Sequence, residues 1–113
     1  MDRKLIIGID FDGTLCAHKY PEIGEAFDAV VERVRSFKRA GHRLILYTCR
    51  NGKELQEAVE WCKDKGIEFD AVNDDIDEIK NSDFYRGKSI KVYADFYLDD
   101  RNISLKDLWN IMI

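Results

Sequence analysis

Short apolar runs alternate along the chain with stretches of helical periodicity, and this alternation constrains the fold more than any other feature. The strand-like runs are Lys4–Asp10, Arg43–Thr48, Ile67–Val72, Ser89–Tyr93 and Asp95–Leu98. A run that is apolar at nearly every position is typical of a strand buried on both faces. Because such strands alternate with helices, they form βαβ units with right-handed crossovers. The pattern predicts an α/β fold, a doubly wound (Rossmann-like) domain with a mainly parallel sheet.

Amphipathic stripes between the runs predict the helices. From Glu22 to Ala40 the apolar residues recur every three or four positions, as on one face of a helix. A second stripe runs from Leu55 to Cys62. Asp74–Asp83 is polar and fits either a short helix or a loop, whereas Ser104 has the chemistry of an N-cap and opens a final helix. The helices thus fall between the strands, as a doubly wound domain requires.

Length and composition narrow the classes of protein that the chain can represent. The 113 residues with a single Pro and no linker predict one domain over residues 1–113, without a cap domain. No apolar run approaches the roughly 20 residues of a membrane helix, so we expect no membrane partner. The net charge of −4 disfavours nucleic acid as a partner without excluding it. Three cysteines, an odd number, suggest a reduced, cytoplasmic setting.

Polar side chains follow the predicted strands at the points where the strands end. In open parallel sheets, ligands bind beyond these carboxyl ends. The residues that follow the strands, in chain order, are Asp10, Asp12, Thr48, Asn73–Asp75, Asp99 and Asp100. The prediction is therefore a rim of the sheet that is rich in carboxylates.

Crowded carboxylates repel one another, and a divalent cation removes that repulsion. Oxygen ligands with few His or Cys nearby favour Mg²⁺, which commonly shares its shell with a substrate phosphate. A carboxylate on such a rim can attack phosphorus to form an acyl phosphate that water then cleaves. A nearby Lys would balance the phosphoryl charge, and a further acid would protonate the leaving oxygen. These residue types predict phosphoryl transfer.

The segment Asp10-Phe11-Asp12-Gly13-Thr14, directly after a buried strand, resembles the nucleophile motif of the haloacid dehalogenase superfamily. Thr48 resembles that superfamily's second motif, and Asp99-Asp100 its acidic fourth motif. For the lysine of the third motif Lys91 fits best, with Lys88 and Lys80 as rivals. The similarity spans about residues 4 to 101 and is greatest to short hydrolases of bacteria and phages that lack a cap domain.

The resemblance implies a magnesium-dependent phosphatase that works through an aspartyl-phosphate on an unidentified phosphorylated substrate. It implies that Asp10 is the nucleophile and Asp12 the general acid and base. It also implies that Thr48 binds a phosphoryl oxygen and Lys91 balances its charge. The metal residues would be Asp10, Asp12 through its carbonyl, Asp99, and Asp100 either directly or through water. Because an acid stands at position 12, phosphatase chemistry is favoured over dehalogenation.

Several neighbours of these motifs have two interpretations. Arg50 and Asn51 could contact the substrate, or Asn51 could cap the next helix. His18 could line the entrance to the site or simply be exposed. Asn73–Asp75 could add a contact near the metal or cap a helix.

Three other functions compete with a phosphatase. One is a binding module that kept the fold but lost catalysis, and the complete set of acidic residues argues against it. A phosphoacceptor receiver domain has a similar length and fold, but its acid pair is usually adjacent and its acceptor Asp follows the third strand. A polynucleotide end phosphatase of the same superfamily is the third alternative, and the acidic charge disfavours it without excluding it. Turnover separates the receiver from an enzyme, because a receiver retains its phosphate.

The short connections around the motifs predict an open site. About ten residues separate Asp12 from the helix expected near Glu22, which is too few for a folded cap. From this openness we expect weak activity on small phosphate esters with little discrimination among leaving groups. A second copy of the chain, in a homo-oligomer, is a candidate for covering the site.

Overall fold

Four parallel strands form one sheet in the computed structural model, which describes residues 4–83, 85, 87 and 92–99. They are β1 (Ile6–Ile9), β2 (Arg43–Leu46), β3 (Ala71–Val72) and β4 (Phe96–Leu98). Each lies within a predicted apolar run. The predicted strand at Ser89–Tyr93 is not formed at Val92 and Tyr93, and its other residues lie outside the described ones.

Three helices connect the strands in the described part of the chain: α1 (Asp28–Arg39), α2 (Gly52–Asp64) and α3 (Asp77–Lys80). The predicted start of α1 near Glu22 is wrong, because the preceding segment pairs with an earlier part of the chain. The N–H of Phe27 donates to the carbonyl of Leu15, and the N–H of Ala17 donates to the carbonyl of Glu25. The helix therefore starts only after this loop, whose two ends are hydrogen-bonded to each other. The helix predicted from Ser104 lies outside the described residues.

The strand order is β3-β2-β1-β4. β2 and β3 therefore follow one another on one side of β1, whereas β4 lies on its other side. Right-handed crossovers place α1 and α2 on one face of the sheet, whereas the return connection crosses the opposite face. The order reverses between β1 and β4, which makes this pair the topological switch point of the sheet. The prediction of a doubly wound, Rossmann-like α/β fold is confirmed.

The core has two layers, one on each face of the sheet, because successive residues of a strand point to opposite sides. Ile7 and Ile9 of β1 pack in a cluster with residues of α1 and α2 such as Val34 and Cys62. Ile6 and Ile45 belong to a second cluster on the other face, together with Ile76, Ile79 and Val92. Among the residues that the structure describes, none of the helices has the length and apolar composition needed to cross a bilayer.

Candidate active site

Asp10 and Asp99 are neighbours at the switch point of the sheet. Ile9 and Leu98 are paired in register, so the two aspartates follow adjacent strands at the same level. The N–H of Asp10 donates a 3.0 Å hydrogen bond to the carbonyl of Leu98, which continues the pairing to the end of β1. Neighbouring strands lie about 4.8 Å apart. The structure thus brings together the predicted nucleophile and a predicted metal ligand.

The turn that follows Asp10 holds the second predicted carboxylate. The N–H groups of Thr14 and Leu15 both donate to the carbonyl of Phe11, which folds the backbone over at the strand end. Gly13 has a φ of +85°, and a Cβ there would lie only 2.2 Å from Nε2 of His18. The exposed His18 therefore packs on the turn, and Gly13 is required both by its backbone conformation and by this contact.

Asp12 forms an ion pair with Arg50 that uses both carboxylate oxygens. Nε of Arg50 donates to Oδ2 and Nη2 donates to Oδ1, each over 2.8 Å. The Arg50 side chain is 1% exposed and that of Asp12 17% exposed. The hydrogen bonds to Asp12 raise the pKa of Arg50, more than burial lowers it. Bidentate pairs of this kind are among the stronger polar interactions in proteins.

Arg50 also holds the loop between β1 and α1 in place through hydrogen bonds to its backbone. Its Nη1 and Nη2 donate to the carbonyls of Pro21 and Glu22, over 3.1 and 2.8 Å. The guanidinium carbon lies 5.0 Å from the ring centroids of both Phe11 and Tyr20. The structure does not show Arg50 free for the direct substrate contact that the sequence suggested, because its side chain is enclosed by protein groups.

Thr48 follows β2 and is held at the rim by two hydrogen bonds. Its N–H donates to Oδ1 of Asn73 over 2.8 Å, and its hydroxyl oxygen accepts from the N–H of Arg50 over 3.1 Å. Since the hydroxyl accepts from the chain, its own O–H is available as a donor to a phosphoryl oxygen. Asn51 stands at the N-cap position of α2 but makes no side-chain capping bond.

The acidic residues after β3 serve the fold. Asp74 accepts from Nζ of Lys80 over 2.6 Å, and Asp75 accepts from the N–H of Tyr93 over 2.6 Å. The interpretation of Asn73–Asp75 as a helix cap is wrong, because Ile76 occupies the N-cap position of α3 and no side chain caps it. Asp75 instead joins the segment after β3 to the segment that leads into β4.

Lys80 is the rival for the motif lysine that the structure describes. It ends α3, and its pairing with Asp74 raises its pKa. Lys91 and Lys88 lie outside the described residues, as does Asp100. The choice between the three lysines therefore stays a prediction.

The oxygen donors at the rim are of the type that Mg²⁺ prefers. Among the described residues, no three His, Cys, Asp or Glu side chains gather in a cluster that could hold a metal. Asp10 and Asp99 provide two carboxylates, whereas the carboxylate of Asp12 is occupied by Arg50. Mg²⁺ commonly binds through one or two carboxylates and retains several waters, so these donors fit it.

The ion pair between Asp12 and Arg50 is the feature of the candidate site that sequence reasoning missed. The two residues are 38 positions apart, and arginine is rarely buried unless it is paired. A weak signal was present, since Arg50 stands just beyond a strand that neighbours the one ending before Asp12.

Comparison with known proteins gives a family but no activity. No protein-family model matches the chain, and no curated protein matches it. The chain is similar to a solved structure of the conserved protein coded by a locus of Bacteroides thetaiotaomicron, with a TM-score of 0.78 and 40% sequence identity. The match covers 97% of this chain and 87% of that one. At this identity and coverage, the protein belongs to the same family as the conserved protein of Bacteroides thetaiotaomicron.

Proposed function

We propose that the protein is a magnesium-dependent phosphomonoester hydrolase that works through an aspartyl-phosphate on Asp10. The observation that carries the proposal is the placement of Asp10 and Asp99 directly after the paired residues Ile9 and Leu98 at the switch point, where parallel sheets bind their ligands. A nucleophilic carboxylate, a second carboxylate and a hydroxyl donor at one rim supply the groups that phosphoryl transfer requires.

The reaction has two displacements at phosphorus. In the first, an oxygen of Asp10 forms a bond to phosphorus while the bond to the leaving oxygen breaks. In the second, water attacks the same phosphorus, the bond to Asp10 breaks and inorganic phosphate is released. Asp12, as general acid and base, protonates the leaving oxygen in the first displacement and takes a proton from the attacking water in the second, and the Thr48 hydroxyl donates to a phosphoryl oxygen.

When Mg²⁺ is bound, held by Asp10, Asp99 and the carbonyl of Asp12, it supplies positive charge for the phosphoryl oxygens. The protein's own contribution is to fix these donors on the ends of paired strands. Rigid strand ends hold reacting groups more precisely than loops do. This arrangement supports a site organised by the sheet itself.

The topology argues against the receiver alternative. Receiver-type domains have the flavodoxin-like order, in which the third strand lies beside the first. Here β3 lies beyond β2, at the edge of the described sheet, and the residue after it is Asn73. The third strand of this chain therefore does not lie beside β1, and the residue that follows it is an asparagine rather than an acceptor carboxylate.

A surface feature near the rim argues against a polynucleotide substrate. A groove of about 560 Å³ lies between α2 and the loop that Arg50 fastens. Five of the residues that line it are acidic: Glu22, Glu54, Glu57, Glu60 and Asp64. This groove would repel a phosphate backbone, and it leaves small phosphorylated molecules as the favoured substrates.

The direct test is phosphate release from p-nitrophenyl phosphate and acetyl phosphate in the presence of Mg²⁺. The proposal expects many turnovers per protein molecule, and rapid acid quenching is expected to trap phosphate covalently on Asp10. Labelling that stops at one equivalent without turnover would favour a receiver. Absence of both labelling and turnover would contradict the proposal.

A further inference from the structure

Tyr20 is the most exposed large apolar side chain among the described residues, with 60% of its surface open to solvent. The guanidinium carbon of Arg50 lies over its ring, 5.0 Å from the ring centroid. One face of the ring is therefore covered by protein, whereas the opposite face is open. Single exposed apolar residues are common on protein surfaces, so exposure alone assigns no function to Tyr20. Its support within the loop and its position beside the candidate site do so.

The loop that carries Tyr20 is held at its base and beside its tip. Two backbone hydrogen bonds of 2.9 Å close the base. A Cβ at Gly24 would lie 2.2 Å from the carbonyl oxygen of Ala17, so the two sides of the loop approach closely. Next to Tyr20, the carbonyls of Pro21 and Glu22 accept hydrogen bonds from the guanidinium that lies over the ring. The exposed ring is therefore held in one place, and a ligand that binds it has little loop entropy to remove.

The ring also lies beside the turn that follows the proposed nucleophile. Arg50, which lies over the ring, binds both carboxylate oxygens of Asp12 over 2.8 Å. The bond lengths of the guanidinium then place the centroid of the Tyr20 ring within about 9 Å of Oδ1 of Asp12. His18, two residues before Tyr20, packs on Gly13 of the same turn. The loop thus places two ring side chains next to the part of the site where a leaving group would lie.

We infer that Tyr20 binds the leaving group of the substrate by stacking, and that this leaving group is a nucleoside. The inference rests on the proposed function and names its substrate class, the nucleoside monophosphates. Aromatic side chains stack on every base, because every base has a flat π-face. The expectation differs from that drawn from openness alone, which was little discrimination among leaving groups.

The geometry favours a substrate with a spacer between its phosphate and its ring. The guanidinium of Arg50 separates the ring of Tyr20 from the carboxylate of Asp12, and the sugar of a nucleotide bridges such a gap. A nucleoside is uncharged, so the carboxylates of the groove beside the loop do not repel it as they would a phosphate backbone. In the hydrolysis, water provides the hydroxyl that ends on phosphorus and the proton that ends on the departing sugar oxygen.

The first test compares kcat/KM for adenosine 5′-monophosphate with kcat/KM for ribose 5-phosphate in the presence of Mg²⁺. The two substrates share the phosphate ester and the sugar and differ in the base. One stack of a base on an aromatic ring changes affinity by about 5- to 150-fold, and we expect a preference for the nucleotide in that range. Equal values with turnover intact would overturn the inference and leave the proposed function standing. Absence of turnover with every phosphate ester would instead count against the proposed function.

Tyr20→Leu and Tyr20→Phe test the ring itself. Leu remains apolar but has no flat face, so we expect the preference for the nucleotide to disappear in Tyr20→Leu and to persist in Tyr20→Phe. Tyr93→Leu is the matched control, because Tyr93 is also exposed but precedes β4 and lies at the end of that strand opposite to Asp99. It should keep the preference. An unchanged preference in Tyr20→Leu, or an equal loss for both substrates, would contradict the inference.

Binding to Asp10→Asn keeps the inference testable if Tyr20→Leu does not fold. This variant is not expected to hydrolyse either compound, so their affinities can be measured by calorimetry with Mg²⁺ present. We expect adenosine monophosphate to bind about 5- to 150-fold more tightly than ribose 5-phosphate. The NMR signals of the Tyr20 ring, assigned by comparison with the additional change Tyr20→Phe, should shift upfield with the nucleotide and not with the sugar phosphate. Equal affinities or unshifted Tyr20 signals would each contradict the inference.

Discussion

The side chain of Asn73 holds Thr48 at the rim from the neighbouring strand: its Oδ1 accepts the N–H of Thr48 over 2.8 Å. Asn73 also has a φ of +50°, a conformation that Asn tolerates better than most residues. We expect Asn73→Ala to lower the free energy of unfolding by about 1–3 kcal/mol, through the lost hydrogen bond and backbone strain. Asn73→Asp keeps the hydrogen-bond acceptor. Its loss of unfolding free energy, measured by urea unfolding, should be less than half that of Asn73→Ala. Equal losses in both variants would contradict the role of this hydrogen bond.

Asp10→Asn should abolish turnover and leave the fold intact. Removal of a covalent nucleophile costs on the order of 10⁴-fold or more in kcat. The amide oxygen can still accept the N–H of Phe11, which now donates to Oδ1 of Asp10 over 2.8 Å. We therefore expect a melting temperature close to that of the parent, or higher, because a carboxylate beside Asp99 is removed. Parent-like hydrolysis of an aryl phosphate by this variant would exclude Asp10 as the nucleophile.

Magnesium should raise the melting temperature of the parent protein and not that of Asp99→Ala. A ligand at a hundredfold its Kd stabilises the folded state by about 2.7 kcal/mol, which corresponds to roughly 10 °C for a domain of this size. Asp64→Ala, at the far end of α2, is the matched control and should keep the full magnesium shift. If Asp99→Ala responded to magnesium as the parent does, Asp99 would not belong to the metal site. Differential scanning calorimetry measures all three.

His42 should make the stability depend on pH in the weakly acidic range. Its Nδ1 accepts the N–H of Leu5 over 3.0 Å, and burial, followed by the charge of Lys4, lowers the pKa of His42. The unfolded chain therefore binds the proton at a higher pH than the folded protein does. Stability falls as the pH drops through the ordinary histidine pKa of about 6.5, and this decline levels off below the lowered folded-state pKa.

The check is urea unfolding of the parent and of His42→Gln between about pH 5 and 8, where histidine titrates. Gln removes the titrating group and retains a polar side chain. As the pH drops below about 6.5, the free energy of unfolding of the parent should fall relative to that of His42→Gln. A difference that stays constant across this range would show that His42 does not contribute to the pH dependence.

Much of the fold followed from local patterns, because burial on both faces leaves a signal in the sequence itself. Every residue of Ile6–Ile9 is apolar or small, and the segment forms β1, one of the two interior strands of the sheet. The start of α1 could not be found in this way. The stretch before Asp28 pairs with Leu15 and Ala17, and a pairing between separate parts of the chain leaves no helical or strand period.

In the candidate site, too, the positions of residues at strand ends could be predicted, whereas contacts between distant side chains could not. The positions of Asp10, Thr48 and Asp99 follow from the rule that strand ends share an edge, and the structure places them there. The ion pair between Asp12 and Arg50 depends on side-chain packing around Phe11 and Tyr20, and a local stretch of sequence does not show such packing. Lys91 and Asp100 lie outside the described residues, so their roles stay predictions.

The order of the strands also sets when the rim can exist during synthesis of the chain. The N–H of Ile6 donates to Oδ2 of Asp95, a contact between residues 89 positions apart. The β1–β2–β3 part of the sheet can assemble as soon as those segments have left the ribosome, whereas β4 must arrive last and close the longest loop. Until then Asp10 has no Asp99 beside it. A growing polypeptide therefore lacks the two neighbouring carboxylates, and Asp10, the proposed nucleophile, lies beside Asp99 only once translation has passed residue 99.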